Sequence, residues 1–166
     1  MRAIVVAIAV IAVGPAVAGC GSSGTPTAAS TPSASAVGPA LSIAACGAES
    51  DSDIATVSGI SGIHQVSANP LRCRWSADPD AAVTFEWFRG SPIDARTPAD
   101  PSSRISALRI GAHVGRIFSA SRSCEVVVDS GGGDFVDWRE EAAQSVAAPP
   151  CSVVQQLAAT TLTKAG

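Results

Sequence analysis

The sequence predicts an α+β domain: an antiparallel sheet of about five strands flanked by a short N-terminal helix and a C-terminal helix, with two disulfides. Three observations predict it. Val83, Phe85 and Trp87 alternate with Thr84, Glu86 and Phe88, the two-residue period of a strand with one strongly apolar face. Val153, Val154, Leu157, Ala158 and Leu162 recur at the spacing of one helix face. Cys46, Cys73, Cys124 and Cys151 are spread through the same region, none in a close Cys-x-x-Cys pair.

Taken in order, Asp51 or Ser52 can cap a short helix that carries Ile54 and Val57 and ends at Gly59. Residues 72–76 have strand character and contain Cys73 and Trp75. The strand through Val83, Phe85 and Trp87 stops at Gly90-Ser91-Pro92, and residues 97–101 hold too much Pro and Asp for a regular element. Ile105, Leu108 and Ile110 precede Gly111, while Val114, Ile117 and Phe118 follow it, which predicts a hairpin. Residues 124–128 are a β-branched run suited to a buried strand. Gly131-Gly132-Gly133 then turns the chain back through Phe135, Val136 and Trp138. Pro149-Pro150 opens the last helix.

The N-terminus is of a different kind. Arg2 is followed by the apolar run 3–13, then Gly14-Pro15, then the small residues 16–19 and Cys20. A basic start, a short apolar core and a small-residue cleavage site make a secretory signal. The run is short of the roughly 20 residues that span a bilayer. Val17-Ala18-Gly19-Cys20 resembles a lipobox, where a bacterial precursor is lipidated and cut. On this reading residues 1–19 are a signal peptide, and Cys20 becomes a membrane-anchored N-terminus carrying acyl chains such as palmitate. Residues 20–40 then form that lipidated cysteine and a disordered stalk of Ser, Thr, Pro, Ala and Gly, and 41–166 the extracytoplasmic domain. The stalk composition also suits O-glycosylation.

With Cys20 assigned to lipid, four cysteines remain, and an exported chain favours pairing them as disulfides. Three connectivities are possible. Cys46–Cys73 and Cys124–Cys151 are each separated by 27 residues, and this sequential pairing is favoured. His64 and His113 are the two histidines of the chain, a poor complement for zinc, and no metal site or cofactor is expected. Without Arg2 the chain has 10 basic and 14 acidic side chains and no long basic run, which speaks against a nucleic-acid partner or binding to anionic head groups. A monomer is expected.

The order of several motifs resembles a known group. A cysteine precedes a short helix; Cys73-Arg74-Trp75, the segment FEWFRGSPI at 85–93, Cys124-Glu125-Val126 and Pro150-Cys151 follow, before a terminal helix. This is similar to the mycobacterial LprB/LprC-type lipoproteins, an actinobacterial family whose domain is of unknown function. The resemblance implies export, anchoring and a cysteine-bearing domain. It supplies no catalytic residue.

Candidate sites are few. His64 or His113 could be grouped with Ser61, Ser119 and Asp129, but no Gly-x-Ser-x-Gly elbow puts a serine on a strained turn. The triple glycine lacks the Lys-Ser/Thr of a phosphate loop, and the carboxylate pairs Glu140-Glu141 and Asp78/Asp80 suit solvated turns or edges. Trp75, Trp87 and Trp138 suit the core. Arg89 closes the most family-like strand, where a guanidinium could grip a ligand carboxylate or phosphate, or pair with Asp94 or Glu86. The expectation is a lipid-anchored, non-catalytic binding or accessory module on the outer face of the membrane. Its partners would be membrane lipid through Cys20 and an envelope protein or small molecule, met by loops 59–70 and 90–103. The alternatives are an envelope hydrolase using His64 or His113, and a small-molecule or lipid carrier with a pocket near Arg89.

Overall fold

The structure is a computed structural model and describes residues 39–77, 80–143 and 151–166. The signal segment, Cys20, most of the stalk, Asp78 and Pro149-Pro150 lie outside the described residues. The elements are α1 (Asp51–Ser58), β1 (His64–Asn69), β2 (Arg72–Ala77), β3 (Ala81–Phe88), β4 (Arg104–Ile110), β5 (His113–Ser119), β6 (Ser123–Gly131), β7 (Asp134–Glu141) and α2 (Cys151–Ala165). Two short 3-10 turns sit at Ala45–Ala48 and Ile93–Ala95.

The strands form one antiparallel sheet of seven in the order β1-β2-β3-β7-β6-β5-β4, where about five were expected. Six of them coincide with the strand segments read from the sequence, more than the count of about five, and β1 is the one with no counterpart there. Every residue of it is exposed and it pairs on one side, with β2, so it lacks the apolar alternation that marks the others. It occupies much of the stretch 59–70 expected to be a contact loop.

Both helices pack on one face of the sheet. There Ile54 of α1 and Val154, Leu157 and Ala158 of α2 meet Trp75, Val83, Phe85, Val126, Val128, Val136 and Trp138. Trp75 and Trp138 are fully buried and stacked with ring centroids 5.8 Å apart. Each indole N–H finds an acceptor, Asp51 Oδ1 at 2.9 Å for Trp75 and Thr161 Oγ1 at 3.1 Å for Trp138. Trp87 packs against the same core, half-buried.

The cap of α1 is Ser50 rather than Asp51 or Ser52. Its hydroxyl accepts from the Asp53 N–H, and its own N–H donates to Asp53 Oδ2, a reciprocal capping box that neither later residue could close. Gly59 ends the helix in the left-handed conformation. Disulfides join Cys46 to Cys73, tying the turn before α1 to β2, and Cys124 to Cys151, tying β6 to the first residue of α2. Gly47, the buried residue of the Ala45–Ala48 turn, has φ +64°. A Cβ there would sit 2.7 Å from Thr161 Oγ1 and 2.8 Å from the Trp138 ring.

Among the described residues the second face of the sheet carries no α-helix. Residues 89–103 cross it as a strap, from the end of β3 to β4 at the far edge. Ile93 of the strap packs on a small cluster of Phe88, Phe118, Val127 and Phe135, in which Phe88 and Phe135 stack at 4.6 Å.

Candidate functional site

The strap is fixed by a charge. Arg96 reaches the sheet, its Nε donating to Asp137 Oδ2 at 2.8 Å and its Nη2 lying 2.6 Å from the same oxygen. Glu125 Oε1 is 2.8 Å from that Nη2, though out of line for a hydrogen bond, and Glu125 Oε2 accepts from the Ala99 N–H. Asp137 and Glu125 are both buried, so two carboxyls share one guanidinium away from water. Burial raises the Asp137 pKa well above the carboxylate range, to about 8; Glu125 pushes the same way and Arg96 opposes both. Burial works against the Arg96 charge too, but Asp137 and Glu125 outweigh it and hold the guanidinium protonated above its ordinary range. Arg116 pairs with Asp94, a second tie between strap and sheet.

Beyond the strap a polar cleft of about 610 Å³ opens at the end of the sheet where β2 and β7 finish and β3 and β6 begin. Its walls include Arg74, Arg122, Arg139 and Glu141, with Asp80 and Asp100 also lining it. Sheet register builds it. Arg74 of β2 and Arg139 of β7 are both paired with Thr84 of the intervening β3, so the two arginines flank one small side chain. Arg74 Nη1 donates to Thr84 Oγ1 at 3.2 Å, and Nη1 and Nη2 both donate to Glu141 Oε2 at 3.2 Å. Arg139 Nε lies 3.5 Å from the other oxygen, Glu141 Oε1. Arg122 donates to the Ala142 carbonyl oxygen at 3.0 Å. Asp100 Oδ1 accepts from the N–H and the hydroxyl of Ser102. The polar side chains of the lining leave Ala77, Ala99 and Ala142 as its apolar members.

The candidates from sequence fall elsewhere. Arg89 lies at the opposite end of β3 from the cleft, exposed, 3.7 Å from Asp134 Oδ2 and over the Trp87 ring at 5.0 Å. Its partner is Asp134 because Asp94 is taken by Arg116 and Glu86 by Arg72. His113 Nδ1 donates to the backbone carbonyl of Asp129 at 2.8 Å, whereas the Asp129 carboxylate accepts from the Gly131 N–H. His113 and Ser119 stand at opposite ends of β5, and His64 lies on the other edge of the sheet beside Ser61 in a shallow hollow. The fold therefore does not bring the nominal Ser/His/Asp sets together. Glu140 is buried on the helix-side face of β7, and burial raises its pKa to about 7, while Glu141 points into the cleft. Among the described residues no group of His, Cys, Asp and Glu is arranged to hold a metal ion, and no helix is long and apolar enough to cross a membrane.

No local motif marks the cleft, because Arg74 and Arg139 are 65 residues apart and each is isolated. The available signal was the second register of the strands. Arg72, Arg74 and Ser76 alternate with Cys73, Trp75 and Ala77, and Asp137, Arg139 and Glu141 alternate with Val136, Trp138 and Glu140. A sheet with one oily face and one charged face was thus written in the chain.

The fold and site define a disulfide-tied sheet domain with a helical layer on one face and a strapped, charged cleft on the other. The chain belongs to the family described as Protein of unknown function (DUF3558), whose model matches residues 15–164. It is similar to a Mycobacterium bovis protein named "Putative lipoprotein LprB", 29% identical over 90% of this chain and 88% of that one. The Mycobacterium tuberculosis protein of that name is likewise 29% identical over the same shares, and the Mycobacterium leprae one is 27% identical over 86% of this chain and 84% of its own. No solved structure matches.

Proposed function

We propose that this chain is a lipid-anchored, extracytoplasmic binding module of the cell envelope with no chemistry of its own. Cys20, at the end of a signal segment, carries the lipid, and the domain from residue 41 onward presents the arginine-walled cleft to a ligand. The observation that carries the reading is the position of Cys20 directly after Val17-Ala18-Gly19 and the apolar run 3–13. The names of the mycobacterial relatives support it. So does the geometry of attachment. The chain enters the domain at Ala40 and Leu41, where the Leu41 N–H donates to the Ser130 carbonyl beside the β6–β7 turn. The cleft lies at the other end of β6, roughly 25 Å away at the rise of a strand.

The test is crosslinking in cells with a photoreactive residue at Ser121, on the cleft rim, against the same residue at Val66 on the exposed β1 edge. An envelope component captured at Ser121 and absent at Val66 is the expected result. Equal capture at both, or none at Ser121, contradicts the reading.

A further inference from the structure

The chemistry of the cleft narrows the class of ligand. Arg74 and Arg139 converge on the two oxygens of one carboxylate, Glu141, which the protein itself supplies. Glu141 thus shows a carboxylate seated against Arg74, which gives both Nη donors to Oε2, while Arg139 Nε, 3.5 Å from Oε1, is buried without a hydrogen-bond partner among the described residues. One carboxylate balances one of the two, and Arg122 adds a third cation to the same walls. A guanidinium grips a carboxylate or a phosphate alike through two parallel N–H donors, so it is the rest of the lining that separates them. The lining also holds the carboxyls of Asp80 and Asp100. Ser102 occupies one Asp100 oxygen, Oδ1. A simple anion would face those two groups unfavourably; a ligand carrying a cation or several N–H donors would not. The volume, about 610 Å³, is in the range of small-molecule sites. The polar walls do not suit an acyl chain.

We infer that the cleft takes a small zwitterion with the chemistry of a short peptide: its carboxylate is held by Arg74, Arg139 and Arg122, and its ammonium or amide groups face Asp80 and Asp100. The inference rests on the binding reading above and names its ligand class.

The experiment is calorimetric titration of the full lipidated chain, in a non-ionic detergent, with dialanine, dialanine amide and inorganic phosphate. Dialanine is expected to bind saturably. The amide, which lacks the carboxylate, and phosphate are each expected to bind at least about tenfold more weakly. Arg122→Gln and Arg74→Gln should each weaken dialanine by at least about tenfold while keeping the melting temperature of the parent. Arg122 is exposed at the rim, so its variant keeps the test open if Arg74→Gln fails to fold. No saturable dialanine binding, equal binding of the amide or of phosphate, or unchanged affinity in Arg122→Gln overturns the inference. Capture at Ser121 in cells alongside absent dialanine binding removes the ligand class and leaves the binding reading standing. Absence of both removes both.

Discussion

Replacing Asp137 by Asn should stabilise the protein, and by more as the pH rises. Asp137 is 3% exposed and shares Arg96 with Glu125. A carboxyl whose pKa is raised in the fold binds its proton more tightly there than in the unfolded chain. Its contribution to stability is therefore complete below the unfolded value of 3.8 and is lost as the pH climbs through about 8. Each pH unit inside that window costs about 1.4 kcal/mol per proton retained. Keeping Asp137 protonated thus costs roughly 2 kcal/mol at pH 5 and roughly 4 kcal/mol at pH 7 relative to a neutral side chain. Asn is the neutral isostere, and its carbonyl oxygen can still accept from Arg96. Urea unfolding followed by tryptophan fluorescence, with Trp75 and Trp138 as buried reporters, measures both proteins at each pH. The variant should gain about 2 to 3 kcal/mol on the parent between pH 5 and pH 7. Parallel stability profiles across that interval would refute the reasoning, since they would mean that Asp137 is ionised in the fold like any surface carboxylate.

Three further outcomes follow from the same structure. Glu140, its pKa raised to about 7 by burial, adds to the loss of stability with rising pH, so Glu140→Gln should flatten the unfolding profile of the parent between about pH 5 and pH 7. Gly47→Ala forces a Cβ into Thr161 and the Trp138 ring at a left-handed position, and should lower stability by at least about 2 kcal/mol in the same urea assay. Removing the Cys124–Cys151 disulfide with a double Ser substitution frees a 27-residue loop, and should lower stability by about 3 kcal/mol and expose α2 to hydrogen exchange before the sheet.

The strands with one oily face were legible in the chain because burial imposes a two-residue period on them, as in Val83, Phe85 and Trp87. The helix face of α2 was legible for the same reason at its own period. β1 was not, since an edge strand exposed on both faces is under no such constraint. The placement of both helices on one face follows from the two-residue period, which sets Trp75, Phe85, Val136 and Trp138 on the same side of the paired strands. Arg96 illustrates what local pattern omits: it sits in a Pro- and Asp-rich stretch that reads as solvated loop, yet it is the residue that closes the second face, 41 positions from Asp137. The cleft is likewise a product of register. Arg74 and Arg139 become neighbours of Thr84 after three strands have paired, and nothing in either local sequence announces it. Arg89, by contrast, stood out for its family-like context and pairs with Asp134 at the end of the sheet remote from the cleft.

The central claim, a binding domain held outside the cytoplasm by lipid on Cys20, is tested most directly by intact mass analysis and detergent phase partition of the parent and the Cys20→Ala variant. The parent should lack residues 1–19, carry the mass of a diacylglycerol with or without a further acyl chain, and enter the detergent phase. The variant should carry no lipid and leave it. An unmodified Cys20 in the parent, or a variant that partitions as the parent does, would contradict the account.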